Sequence, residues 1–149
     1  MPQLDITHDP GRKSWVPGAD GHPEFPIQNL PFCVFSPPDG EPRCGVAIGD
    51  AILDLRALLA AGLLTSEAAR DPDLSELFSL GGPPRRALRS RLSQLLSLVG
   101  VETGKVEQCL YRTAECALHL PSRIGDYTDF YVGIRSPSGR CSLAKSKWS

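Results

Sequence analysis

The chain has 149 residues, 41% of them hydrophobic and 22% charged, with a formal net charge of −1, which is the composition of a single ordinary globular domain. No apolar run reaches the roughly 18 to 20 residues that a membrane helix needs, and the start MPQLDITHDPGRKSW lacks the apolar stretch of a secretory signal. A helical membrane protein is excluded, no membrane partner is expected, and a cytoplasmic location is predicted.

The charge is unevenly spread. Residues 1–134 hold 12 Lys and Arg against 17 Asp and Glu, a net of −5, whereas residues 135–149 hold Arg135, Arg140, Lys145 and Lys147 with no acid. That serine-rich segment has little that could pack and is predicted to be a disordered basic tail. Its four charges lack interleaved aromatics, so no nucleic-acid partner is expected. Five cysteines (Cys33, Cys44, Cys109, Cys116, Cys141) include no CxxC pair, and His8, His22 and His119 are scattered. Zinc-finger spacing is absent, and free thiols in a reducing compartment are expected.

Residues 1–31 show no sustained period. WVPGADGHPEFP carries three prolines and two glycines, which predicts a meandering arm lying across a larger body. Phe32–Phe35 is a short apolar run between prolines and predicts one buried strand. Pro38-Asp39-Gly40 is a turn, with glycine expected to take the positive φ. Cys44–Ile48 and Ala51–Leu55 are β-prone runs joined by Gly49-Asp50, the pattern of a type II′ hairpin. Val46, Ile48, Ile52, Leu53 and Leu55 make both hairpin faces apolar, so other elements should bury it. Asp54 is placed to cap a helix beginning near Arg56, with Leu58, Leu59 and Leu63 inward.

From Thr65 to Gly100 the period becomes helical. Thr65-Ser66-Glu67 and Asp71-Pro72-Asp73 read as helix starts. The strongest helix is predicted over Pro83–Val99, with Leu88, Leu92, Leu95 and Val99 on one stripe and Gly100 as a left-handed C-cap. Arg85, Arg86, Arg89 and Arg91 crowd its first half, where each exposed cation opposes the helix dipole by about 0.3–1 kcal/mol. They are read as a solvated face or a partner contact. Strands followed by helices, without βαβ alternation, predict a small α+β domain. The texture changes after Leu118-His119-Leu120-Pro121, which marks a boundary near residue 121.

Complete catalytic sets are missing: there is no GxSxG, Walker loop, HExxH or GxGxxG. Cys116 and His119 lie three apart and open a thiol-nucleophile reading, set against a buried cysteine and a satisfied histidine. In extended geometry Tyr127, Asp129 and Tyr131 share one face. Asp129 between two phenols can be a hard-cation ligand or part of an acidic turn.

Three segments, FPIQNLPFCVFS (Phe25–Ser36), GVAIGDAILDL (Gly45–Leu55) and HLPSRIGDYTDFY (His119–Tyr131), resemble the fumarylacetoacetase family in order and spacing. The resemblance covers roughly residues 12–131 and is weakest through 60–115. It implies an N-terminal domain over 1–121 built on a small SH3-like β-barrel with added helices, the start of a catalytic domain over 122–134, and a non-family tail over 135–149. It also implies hydrolysis of 4-fumarylacetoacetate to fumarate and acetoacetate in tyrosine and phenylalanine breakdown. A Ca2+ ion with Mg2+ nearby, and a homodimer formed through the catalytic domain, belong to the same implication. By position, Asp129 matches the first metal-ligating aspartate and Tyr131 a substrate-contacting tyrosine. After that tyrosine the family continues Ser-Ser-x-x-His-Ala-x-Asn, and its histidine is the general base. Here Tyr131 runs into Val132-Gly133-Ile134, and no histidine follows His119. The chain alone is therefore expected to be inactive. The alternative is a binding or regulatory module that docks on full-length subunits.

Overall fold

Gly49 and Asp50 close the central hairpin. In the computed structural model, which describes residues 5–100 and 102–125, β1 (Phe32–Ser36), β2 (Arg43–Ile48) and β3 (Ala51–Asp54) form an antiparallel meander. Ile48 pairs with Ala51 across a two-residue loop. Gly49 has φ +54°, while Asp50 is not among the positive-φ residues, the signature of the predicted type II′ turn. The turn between β1 and β2 differs from expectation, because Asp39 takes the positive φ of 55° and Gly40 does not. Aspartate tolerates the left-handed region better than most side chains.

Two short strands return after the helices, β4 (Leu110–Arg112) and β5 (Ala117–His119). Sequence periodicity misses both, since three residues are too few to display alternation. The strand order is β4-β3-β2-β1-β5. The outermost strands are joined by residues 113–116, which include a 3-10 turn over Thr113–Glu115. A flat five-stranded sheet would part its edges by about 19 Å, whereas such a link reaches only about 13 Å. The sheet therefore curls into an antiparallel half-barrel.

Pairing register sorts the side chains by face. Val34, Cys44, Val46, Ile48 and Leu53 join the main core with the helices and arm, and all are buried. Phe35, Gly45, Ile52 and Tyr111 share the opposite face. There the Phe35 and Tyr111 rings lie 5.8 Å apart at 52°. Burial of Phe35 and Ile52 as well as Val46 and Leu53 confirms that both hairpin faces are covered.

Helix α1 (Leu55–Ala60) starts on Asp54, whose side chain accepts from the Ala57 N–H at 2.9 Å. Its end is a Schellman closure. Gly62 sits at φ +71°, the Leu63 N–H donates to Leu58 O, and the Gly62 N–H donates to Leu59 O. A 3-10 turn covers Glu67–Arg70, and α2 (Ser75–Ser79) follows, with Asp73 accepting from the Ser75 N–H. The predicted start at Thr65-Ser66-Glu67 thus yields one 3-10 turn and no α-helix.

Helix α3 spans Gly82–Leu96, and α4 spans Thr103–Glu107. α3 ends three residues short of the predicted Val99. Leu88, Leu92 and Leu95 are buried as expected, together with Leu96, but Val99 is 85% exposed. Gly100 has no left-handed conformation. The arm causes the early stop: Ser14 bridges Ser97, and the Leu98 N–H donates to Lys13 O, pulling the chain into extended geometry.

A helix leaves its last four carbonyls without intrahelical partners, and the arm serves three of the four in α3. Arg12 donates to Ser93 O, the Trp15 indole to Leu95 O at 2.8 Å, and Ser14 Oγ to Leu96 O at 2.7 Å. The Ser97 N–H takes Gln94 O. Arg12 also places a cation at the negative end of the dipole. Arg89 donates to Thr7 Oγ1 and Gln28 O, while Arg91 donates to Leu63 O and pairs with Glu102 at 2.8 Å. Only Arg85 and Arg86 form the expected solvated face. Trp15→Phe keeps an aromatic ring, though a smaller one, but strands Leu95 O, and it should cost about 1–2 kcal/mol, read as a shift in the urea midpoint.

Candidate functional site

Asp129 and Tyr131, the two site residues expected from sequence, lie outside the described residues, as do Cys141 and the basic segment 135–149.

Cys116 and His119 are not brought together as a nucleophile and base. β5 pairs with β1 so that Val34 opposes His119 and Ser36 opposes Ala117. This sets the His119 Nε2 2.8 Å from Ser36 Oγ. The Cys116 thiol instead donates to Arg112 O. Burial, aided by Glu115, pushes its pKa up, the wrong direction for a thiolate nucleophile. The Ser36–His119 contact spans 83 residues and had no local signal; only the pairing of β5 with β1 creates it.

The other thiols are equally quiet. Cys44 is fully buried and its Sγ contacts Asp71 O and Asp73 O. Desolvation first, then the carboxylates of Asp71 and Asp73, raises its pKa to about 12. Cys33 is raised to about 11, again mainly by burial. All four described cysteines are free thiols, as expected, though Cys33 and Cys116 are only partly buried. A thiol whose folded pKa is raised stabilises the fold below its unfolded value, near 9, and that stability is lost as pH climbs toward 11–12. Stability should therefore fall between about pH 9 and pH 12. At pH 8, Cys33 and Cys44 should be carbamidomethylated by iodoacetamide at least tenfold more slowly than in urea, read by peptide mass spectrometry.

Of the remaining histidines, His22 accepts from the Glu24 and Phe25 N–H groups through Nδ1. Its proton is thereby fixed on Nε2, 3.6 Å from Asp50 Oδ1. His8 sits 3.2 Å from Asp5 at the arm's start. Both organise turns. Among the described residues, no group of three or more His, Cys, Asp or Glu could hold a metal ion, so the implied Ca2+ and Mg2+ have no ligand set there. No helix among them is long and apolar enough to cross a membrane.

The surface concavities are shallow. One of about 190 Å³ lies beside the end of α3 among Arg12, Arg91, Gln94, Val99 and Glu102, where the arginines are already engaged. Another of about 470 Å³ runs between α3 and the segment after α1, with Leu63, Leu64, Pro84, Ala87 and Leu88 in its wall. These two contain neither a nucleophile with a base nor converging polar groups to orient a substrate, whereas a third concavity, of about 490 Å³, is lined by His8, Arg12, Lys13, Asp20, His22 and Gln28.

The family described as Fumarylacetoacetase N-terminal matches residues 28–121. The fumarylacetoacetase of Homo sapiens is 39% identical over 128 residues, which is 79% of this chain and 30% of that protein. Those of Rattus norvegicus and Arabidopsis thaliana are 37% and 35% identical over 132 and 128 residues, covering 82% and 78% of this chain. The chain spans only about 30% of the length of these curated relatives. A match over most of the half-barrel, α1–α4 and the returning strands is specific evidence of kinship, and the chain belongs to the fumarylacetoacetase N-terminal family.

Proposed function

We propose that this chain is the N-terminal, scaffold part of a fumarylacetoacetase-type hydrolase acting on a carbon–carbon bond. The reaction is 4-fumarylacetoacetate plus water to fumarate plus acetoacetate, in tyrosine and phenylalanine catabolism. The observation that carries the reading is 35–39% identity to proteins named fumarylacetoacetase over about four fifths of the chain. The strand order β5-β1-β2-β3-β4, with a 3-10 turn before the last strand, supports the finer reading of a small SH3-like barrel.

In this reading Asp129 is one ligand of a Ca2+ centre with Mg2+ nearby, and Tyr131 contacts the substrate. The cation would supply positive charge for the enolate that develops as the bond breaks. One carboxylate cannot fill the six or more oxygen positions such an ion takes, so the other ligands must come from outside the described residues. A homodimer and a cytoplasmic location belong to the same proposal.

Hydrolysis needs a base within hydrogen-bond reach of the attacking water. The only histidine in the family-matched C-terminal segment is His119, and its Nε2 is occupied by Ser36. The purified 149-residue chain, assayed with 4-fumarylacetoacetate and Ca2+, is expected to give no turnover. Rates above the uncatalysed reaction would overturn the scaffold reading.

A further inference from the structure

Three large apolar side chains stand in water within seven residues of one another. Leu118 is 62% exposed, Leu120 68% and Ile124 77%. All three residues of β5 are exposed, and among the described residues β5 pairs with β1 alone, leaving its other edge without a strand partner there. An open edge with leucines along it is a surface that folded proteins normally cover. Leu118 opposes Phe35 in the register and so extends the apolar face of Phe35, Ile52 and Tyr111 outward. The segment is not loose: the Leu74 N–H donates to Pro121 O at 2.8 Å, anchoring the strand's exit against α2.

We propose that this edge, with Leu118 and Leu120 along it, is the seam on which the larger remaining portion of a fumarylacetoacetase packs, the chain leaving it through the exposed Ile124. The inference rests on the family reading above and adds a location to it. The family match ends at residue 121, in the middle of the exposed cluster. Relatives devote about 70% of their length to sequence outside the stretch shared with this chain. The uncovered surface therefore lies at the junction with the part that relatives carry in addition. The occupant must be apolar where it meets Leu118 and Leu120. A second copy of this chain on the same edge is the competing occupant.

The test is a chimera in which residues 1–125 of this chain replace the matching stretch of the rat fumarylacetoacetase. Thermal unfolding of the parent chimera is expected to be one cooperative transition. Leu118→Asp with Leu120→Asp should split it into two, the earlier at least 5 °C lower. Val99→Asp, at an equally exposed apolar site away from β5, should leave one transition. A parent chimera that already unfolds in two steps, or an unsplit double variant, overturns the proposal. Sedimentation of the 149-residue chain reads the competing occupant: a dimer abolished by the same double substitution also overturns it. The double substitution should leave the chain's own circular dichroism unchanged, because both side chains are exposed; loss of that signal means the edge is internal structure, which also counts against the seam. Turnover is read separately. A chimera with one transition and no activity refutes the enzymatic reading while leaving the seam intact.

Discussion

Replacing Phe35 with alanine should cost about 3–5 kcal/mol, a large part of the roughly 5–15 kcal/mol that holds a domain folded. Phe35 is fully buried in the middle of β1, on the face of the sheet away from the helices. Its ring lies across Gly45: a Cβ there would sit 2.8 Å from the Phe35 ring and 2.6 Å from Ile52 Cγ2. The glycine is needed for room, since its φ is not positive. The two positions should therefore be coupled. Gly45→Ala overpacks the face and should cost about 1–3 kcal/mol. In a Phe35→Leu background the same change should cost measurably less, because the smaller side chain vacates the space. Urea denaturation of the four proteins in this cycle measures the coupling. Strict additivity would show that the ring and the glycine are independent.

The second large effect is at Asp54, which is fully buried and holds three elements at once. Oδ1 accepts from the Ala57 N–H at 2.9 Å, Oδ2 lies 3.2 Å from Arg43 Nη1, and its own N–H donates to Cys109 O. Asp54→Ala removes the cap of α1, worth about 1 kcal/mol. It also leaves the Arg43 charge without its partner, a loss that reaches about 3–5 kcal/mol for fully buried pairs. The Arg43 side chain keeps 20% exposure and can recover part of its hydration. The expected loss is therefore about 2–4 kcal/mol. Asp54→Asn retains the cap and should lose about half as much. In an Arg43→Met background, Asp54→Ala should cost little more than the cap alone. An undiminished cost there would mean that the ion pair contributes nothing.

Local chemistry was legible where neighbours in sequence are neighbours in space. The Gly49-Asp50 turn, the Asp54 cap and the stripe of Leu88, Leu92 and Leu95 all follow from spacing within a few residues. Helix ends were less legible. Val99 continues the apolar period of α3, yet it is exposed because Lys13 and Ser14, more than 80 residues away, end the helix by bonding at Ser97 and Leu98. Arg89 and Arg91 read as surface charge, but long side chains with several donors can reach carbonyls that spacing does not reveal.

By itself the sequence determined the α+β class, the hairpin with two apolar faces, the free thiols and, through its three motif segments, the family. Tertiary structure alone decided that β4 and β5 exist, that they curl the sheet into a half-barrel, and that the arm caps α3. It also decided that Cys116 and His119 turn to different partners, and that Leu118, Leu120 and Ile124 stand uncovered. The physical reason is one of range. Turns, caps and periodicity are set by dihedral preferences and contacts a few residues apart, whereas edge strands, helix ends and exposed seams are set by partners dozens of residues away.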